Sequence, residues 1–123
     1  MVLADSSIWA DHLRSADELM THLLATDQIV MHPFVLGELA MGNLPDRPRF
    51  LKRLADLPTM RKAGDEEVMQ LIEVGDHSGK GLGWVDMHLL ASVLLDARVT
   101  FWTRDRRLNT AASNYGRSLS AHH

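Results

Sequence analysis

The chain of 123 residues contains no cysteine, which excludes disulfide bonds and zinc sites built from thiolates, and nothing in the composition indicates secretion. No apolar run approaches the roughly 20 residues that a membrane-spanning helix requires. A carboxylate at the fifth position, Asp5, argues against a secretory signal peptide. We therefore expect a cytoplasmic protein that does not enter a membrane.

A large excess of positive charge is also missing. The formal net charge of −3 counts mildly against a protein that binds nucleic acid by bulk electrostatics. Basic residues are nevertheless clustered, in segments 47–53, 61–62 and 104–107. Hydrophobic residues make up 46% of the chain and charged residues 24%, as in ordinary globular proteins. The length fits a single domain over residues 1–123.

Short apolar runs alternate with helical patterns along the chain. The runs Val2–Ala4, Gln28–Met31 and Val99–Thr103 predict strands, and Ser118–Ser120 predicts a small edge strand. The glycine-rich segment 75–83 predicts a loop within the domain. Strands that alternate with helices are typical of an α/β fold, in which a parallel sheet is flanked by helices.

Two aspartates each follow a predicted strand and precede a predicted helix. Asp5 comes after the first strand and Asp105 after the last long one. In open α/β folds, ligands bind beyond the carboxyl ends of the strands, so both positions suit a functional site. The alternative interpretation is that each aspartate caps the helix that follows it. Position alone does not decide between the two.

Two further acids lie on predicted helices among apolar neighbours. Glu38 has Phe34, Val35 and Met41 at helical spacing, and Asp86 begins the most apolar helix of the chain. An ionised carboxylate on a core-facing stripe needs a partner, because its desolvation is costly. For Asp86 the alternative is a favourable charge in the first turn of a helix.

A divalent cation would satisfy all four acids at once, and the three lysines of the chain lie in predicted loops or on solvated faces. Mg²⁺ and Mn²⁺ prefer hard oxygen ligands. Such an ion can lower the pKa of a bound water and stabilise the charge of a phosphate under attack. A metal ion would therefore make the grouping of the four carboxylates favourable, whereas without one they would repel each other.

Four acidic segments carry a family resemblance: LADSS at 3–7, GELAMG at 37–42, GWVDMHLLAS at 83–92 and WTRDRRL at 102–108. In this order they resemble the four acidic motifs of PIN-domain ribonucleases of the VapC toxin type. The resemblance spans nearly the whole chain, and all four motif acids are present. Each segment is weak by itself, whereas the ordered set is specific.

The resemblance implies a three-layer α/β/α fold with a central, mainly parallel sheet flanked by helices. It implies a metal-dependent endoribonuclease, the toxin of a type II toxin–antitoxin pair, with Mg²⁺ or Mn²⁺ held by Asp5, Glu38, Asp86 and Asp105. Hydroxyls at Ser7 and Thr103 match positions that support the acidic cluster. The implied partners are an RNA substrate, a cognate VapB-type antitoxin and a second copy of the chain in a homodimer.

Several other residues lie near the predicted site in sequence. Three arginines flank Asp105 and are candidate contacts for RNA phosphates, with a solvated helix face as the alternative: Arg104, Arg106 and Arg107. His88 lies two residues from Asp86, so a helix points it away, and we interpret it as structural or on the surface. The tryptophans and methionines are interpreted as packing residues. His122 and His123 are either native or the remains of a tag.

Three competing functions can be compared with these features. A receiver domain would carry an acidic pair after its first strand and a lysine near the end of its last one. Here two serines follow Asp5 and no lysine occurs after Lys80, so that interpretation is poor. A PIN-like module that binds RNA or a partner without turnover, and a DNA-directed nuclease of the same fold, remain as alternatives.

Overall fold

The computed structural model describes residues 1–119. Within them, no helix is both long enough and apolar enough to cross a bilayer. The elements in chain order are strands β1 (Val2–Ala4), β2 (Ile29–Val30) and β3 (Thr100–Trp102) and helices α1 (Ser6–Arg14), α2 (Glu18–Ala25), α3 (Pro33–Ala40), α4 (Arg47–Asp56), α5 (Asp65–Val74), α6 (Trp84–Leu94) and α7 (Arg106–Asn114).

The three strands form one parallel sheet in the order β2-β1-β3. Leu3 of the central strand lies in register with Val30 on one side and Phe101 on the other. Continuous apolar strands suit such a sheet, because helices cover both of its faces. The predicted three-layer α/β fold with a parallel sheet flanked by helices is confirmed. Ser118 adds an isolated parallel bridge to Phe101; Ser120, His122 and His123 lie outside the described residues.

The core is centred on the sheet and on α6, in which every residue from 87 to 93 is buried. Met20 and Met87 are buried, as predicted for packing residues. The same prediction is wrong for Met41, Met69 and Trp84, which are exposed. Met41 is the C-cap of α3, and Trp84 precedes the buried run of α6 as its first residue. Helical spacing therefore identified which face of each helix is apolar, but not where along the helix the burial of that face ends.

The carboxyl end of the sheet brings distant parts of the chain together. Ala4 pairs with Trp102, and the Asp5 main-chain N donates to the Trp102 carbonyl at 3.0 Å. The carboxyl ends of β1 and β3 consequently lie side by side. Asp5 directly follows β1 and Thr103 directly follows β3, so both lie at the carboxyl end of the sheet, where α/β folds bind ligands.

Candidate active site

Asp5 is buried at the end of β1, and both oxygens of its carboxylate accept hydrogen bonds. Oδ1 accepts from the main-chain N of Ser7 at 3.1 Å and of Ile8 at 3.2 Å, which makes Asp5 the N-cap of α1. The Ser7 hydroxyl donates to Oδ1 at 2.6 Å, and the Thr103 hydroxyl donates to Oδ2. Both hydroxyls whose supporting role the family resemblance implies therefore contact this carboxylate.

Asp105 also caps a helix, because its Oδ1 accepts from the Leu108 main-chain N at 2.9 Å at the start of α7. Its own main-chain N donates to the Thr103 hydroxyl oxygen at 3.0 Å. Thr103 thus links the Asp5 carboxylate to the backbone of Asp105. The capping alternative is confirmed for both aspartates. Both also lie at the carboxyl end of the sheet, where Thr103 links them.

Glu38 on α3 and Asp86 on α6 lie near the same carboxyl end of the sheet. Glu38 is exposed, so the prediction that it lies on a core-facing stripe is wrong. The reason is that α3 buries Val35 and Leu39, whereas Glu38 precedes Leu39 by one residue and turns away from that face. Asp86 is half-buried in the first turn of α6, where its Oδ2 accepts from the Gly83 main-chain N at 3.1 Å.

Two of the other acids influence the Glu38 carboxyl. The pKa of its carboxyl is raised above the ordinary value of 4.5, first by partial desolvation and then by repulsion from the carboxylates of Asp86 and Asp5. A hydrogen bond from Ser6 opposes the rise. Three acids, one directly after β1 and one each on α3 and α6, therefore interact electrostatically, and Thr103 connects Asp105 to Asp5.

The four acids are chemically suitable ligands for Mg²⁺ or Mn²⁺, since all their donors are hard oxygens. Among residues 1–119, however, no group of three or more His, Cys, Asp or Glu side chains converges closely enough to hold a metal ion. Capping uses one oxygen each of Asp86 and Asp105, and their second oxygens form no hydrogen bond within these residues. Capping and metal ligation are therefore compatible uses of the same carboxylates.

The three arginines near Asp105 do not act as one group. Arg104 forms ion pairs with Asp11 and, at 3.2 Å, with Asp17, which direct it toward α1 and α2. Arg106 and Arg107 instead line a cavity of about 690 Å³ beside α7. The structure thus separates one candidate RNA contact from the other two.

His88 is buried and structural, as the helix geometry predicted. Its ring lies 4.8 Å from the Phe34 ring and 4.7 Å from the Trp84 ring, centroid to centroid, and both pairs are edge-on. Its Nε2 lies 3.1 Å from the exposed Asp65 carboxylate in a geometry that forms no hydrogen bond. The histidine therefore acts mainly as a packing element between α3 and α6.

A buried polar network has no counterpart among the sequence predictions. His32 Nδ1 accepts from the Phe34 main-chain N at 2.9 Å, and Nε2 lies 2.9 Å from the Ser92 hydroxyl. That hydroxyl donates to the His88 carbonyl at 2.8 Å and accepts from the Ala63 main-chain N at 2.9 Å. Burial first, and then nearby His88 and Lys62, lower the pKa of His32 to about 4. The one available signal was a histidine directly before Pro33, the N-cap position of α3.

An apolar groove adjoins the acids on the side of α3 and α6. It has a volume of about 330 Å³ and includes Glu38 in its wall. Its other walls come from the two helices and are largely apolar: Pro33, Phe34, Gly37, Met41, Trp84 and Val85. The acids are thus bordered by a surface that water solvates poorly.

Two curated proteins are similar to this chain over nearly its full length. Both are named Ribonuclease VapC32 and come from Mycobacterium tuberculosis, one from strain CDC 1551 / Oshkosh and the other from strain ATCC 25618 / H37Rv. Each is 40% identical over 120 residues, which cover 98% of this chain and 97% of the relative. No family model matches the chain. The similarity extends over whole proteins and is not confined to the acidic segments.

Proposed function

Because the chain belongs to the VapC family of ribonucleases, we propose that it is the toxin of a type II toxin–antitoxin pair and cleaves RNA endonucleolytically. The assignment of its fold to the PIN-domain type belongs to the same proposal. A single observation in the structure supports it best. Thr103, at the carboxyl end of β3, joins two acids that are far apart in sequence: its hydroxyl donates to the Asp5 carboxylate and accepts from the Asp105 main-chain N at 3.0 Å.

We propose that the four acids of the candidate site hold Mg²⁺ or Mn²⁺. The bound ion would supply an activated water and stabilise negative charge on the scissile phosphate. The repulsion at Glu38 supports this role, because a nearby cation would relieve it. The side chains themselves position the reaction: Ser7 and Thr103 fix the Asp5 carboxylate, and Thr103 also binds the backbone of Asp105.

The proposed partner is a VapB-type antitoxin that covers the four acids at the carboxyl end of the sheet. The groove between α3 and α6 fits such a partner, since it places apolar walls beside the Glu38 carboxylate. An apolar segment would bury Met41 and Trp84, both exposed in the free chain. A basic residue of that segment, best an arginine, would pair with the carboxylates. Homodimer formation and a cytoplasmic location remain predictions; sedimentation of the purified chain tests the first.

The decisive experiment is digestion of RNA and of single-stranded DNA by the purified protein, each with Mn²⁺ and with EDTA. We expect cleavage of RNA with the metal and none with EDTA. Cleavage of DNA alone would favour the DNA-directed nuclease. Binding of RNA without cleavage under any metal condition would favour the non-catalytic module. Copurification with no small partner, together with harmless expression of an active enzyme, would contradict the toxin assignment.

A further inference from the structure

Most basic side chains of this protein are occupied by partners. Of its 13 lysine and arginine residues, six form ion pairs with carboxylates: Arg14, Arg49, Lys52, Arg61, Arg98 and Arg104. Arg47 and Arg117 bind main-chain carbonyls, and Lys62 lies over the Phe34 ring. Within residues 1–119, the basic side chains without such a partner are Arg53, Lys80, Arg106 and Arg107.

Three of these four line one cavity. It has a volume of about 690 Å³ and lies between the segment 75–82 and helix α7. Lys80 comes from the segment, and Arg106 and Arg107 come from the first turn of the helix. Asp76 is the one carboxylate among the described residues that line it. Among the described residues, the lining therefore carries three cationic side chains and one carboxylate, a surplus of positive charge.

The segment contacts α7 at two points, through one hydrogen bond and one close packing contact. His77 Nε2 lies 2.8 Å from the Tyr115 hydroxyl at the end of the helix. At the other point Gly81, with a φ of +83°, lies directly against the Arg107 guanidinium, and a Cβ there would overlap it. A side chain at Gly81 would therefore displace Arg107 and strain the backbone.

The polar wall continues along α7. Arg106, Thr110 and Asn114 follow one another at intervals of four residues and line the cavity together. At 1.5 Å per residue this stripe is about 12 Å long. This stripe begins next to the acids, because Arg106 directly follows Asp105. An RNA strand that extends from the carboxylates in this direction would first meet cations, and then the Thr110 hydroxyl and the Asn114 amide.

We propose that this cavity binds the backbone of single-stranded RNA, at phosphates beyond the one that is cleaved, through Lys80, Arg106 and Arg107. The inference rests on the proposed function and adds to it the place where substrate is held. Without metal the cluster of acids repels RNA, so cations outside the cluster would supply the affinity for the RNA strand. Two guanidinium groups suit this task, because each can bind a phosphate through two parallel hydrogen bonds.

The test measures binding of a labelled single-stranded RNA oligonucleotide in EDTA, over a series of salt concentrations. The variant carries K80Q, R106Q and R107Q, and the matched control carries R49Q, K52Q and R53Q on α4, which removes the same charge. We expect the cavity variant to lose about tenfold in affinity and to flatten the slope of log K against log salt by about 2, or about 0.7 for each phosphate contact. The control should change little.

Equal loss of affinity in both variants would overturn the inference, because bulk charge would then explain the binding. The inference also fails if polyglutamate competes as well as RNA, which would indicate an acidic protein partner. R106Q alone should give an intermediate loss, which covers the case that R107Q disturbs the loop. If wild type cleaves RNA with metal but the cavity variant binds normally, only this inference fails; absence of any cleavage rejects the proposed function itself.

Discussion

Helices α3 and α6 meet at two places, and polar groups at the two places are arranged in opposite ways. At the start of α3, His32 bonds to Ser92 in the second half of α6, and the network is neutral and buried. Near the end of α3, Glu38 faces the repulsion of Asp86 near the start of α6. These two pairings show that the helices run in opposite directions.

The difference separates a support from a functional centre. In the His32 network each buried donor has an acceptor, so the polar atoms cost little and fix the spacing of the helices. Between Glu38 and Asp86 like charges face each other, which costs stability unless a cation is present. Local conflicts of this kind are expected where a protein has a task other than folding.

The largest effect is expected on catalysis at the charged contact. Glu38→Gln keeps the size of the side chain and removes its charge, so the proposed metal site loses a ligand. We expect RNA cleavage with Mn²⁺ to fall about 1000-fold, which corresponds to about 4 kcal/mol in the barrier. Asp5→Asn should act similarly. Single-turnover cleavage at saturating protein measures the change.

The matched control for this prediction is Glu66→Gln, an exposed acid in the first turn of α5. It changes the net charge equally and should leave cleavage unaffected. Near-normal activity of Glu38→Gln would remove Glu38 from the site. In that case its raised pKa would be a structural by-product of the helix arrangement.

The second effect concerns acid stability at the neutral contact. Because the pKa of His32 falls from 6.5 to about 4 on folding, the unfolded chain binds more protons between these values. Stability from this group is complete above pH 6.5 and is lost as the pH falls toward 4. The loss should reach about 3 kcal/mol at pH 4. Urea unfolding across this range measures it.

The His32→Asn variant isolates that contribution from the titrating carboxylates. Asparagine can still cap α3 but carries no proton in this range. Its free energy of unfolding should depend less on pH than that of wild type. Parallel pH profiles for the two proteins would contradict the assignment of the acid sensitivity to His32.

The sequence predicted the fold better than it predicted the surroundings of the acids. Apolar runs located β1, whose residues are all buried, and β3, whose central Phe101 is buried. Periodicity grouped Glu38 with its apolar neighbours but could not tell how far cover extends around the helix. The bond between His32 and Ser92 joins residues 60 positions apart, and no local pattern encodes it. Which arginines are free likewise depends on acids elsewhere in the chain, as Arg104 shows.

A smaller effect is expected when the neutral network loses its central hydroxyl. Ser92→Ala leaves the Ala63 N–H and the His32 Nε2–H buried without an acceptor. We expect a loss of about 2 kcal/mol in the free energy of unfolding. Ser113→Ala, at an exposed position of α7, is the control and should cost little. A cleavage rate that falls as far as in Glu38→Gln would show that the two contacts are not separate.

The smallest effect tests the charged contact by stability in the absence of substrate. Asp86→Asn keeps an oxygen that can accept from the Gly83 main-chain N and removes the charge that repels Glu38. At neutral pH in EDTA the variant should therefore be more stable than wild type. Because Glu38 is exposed, solvent screens the repulsion, and we expect a gain of at most about 1 kcal/mol. If Asp86 served only to favour the helix N-terminus, the same change would instead destabilise slightly.

The response to metal is the second half of the Asp86→Asn test. At tenfold excess over its Kd, Mn²⁺ should stabilise wild type by about 1.4 kcal/mol and the variant by much less. A variant that is destabilised in EDTA and still shows the full response to Mn²⁺ would exclude Asp86 as a metal ligand and leave it as a helix cap.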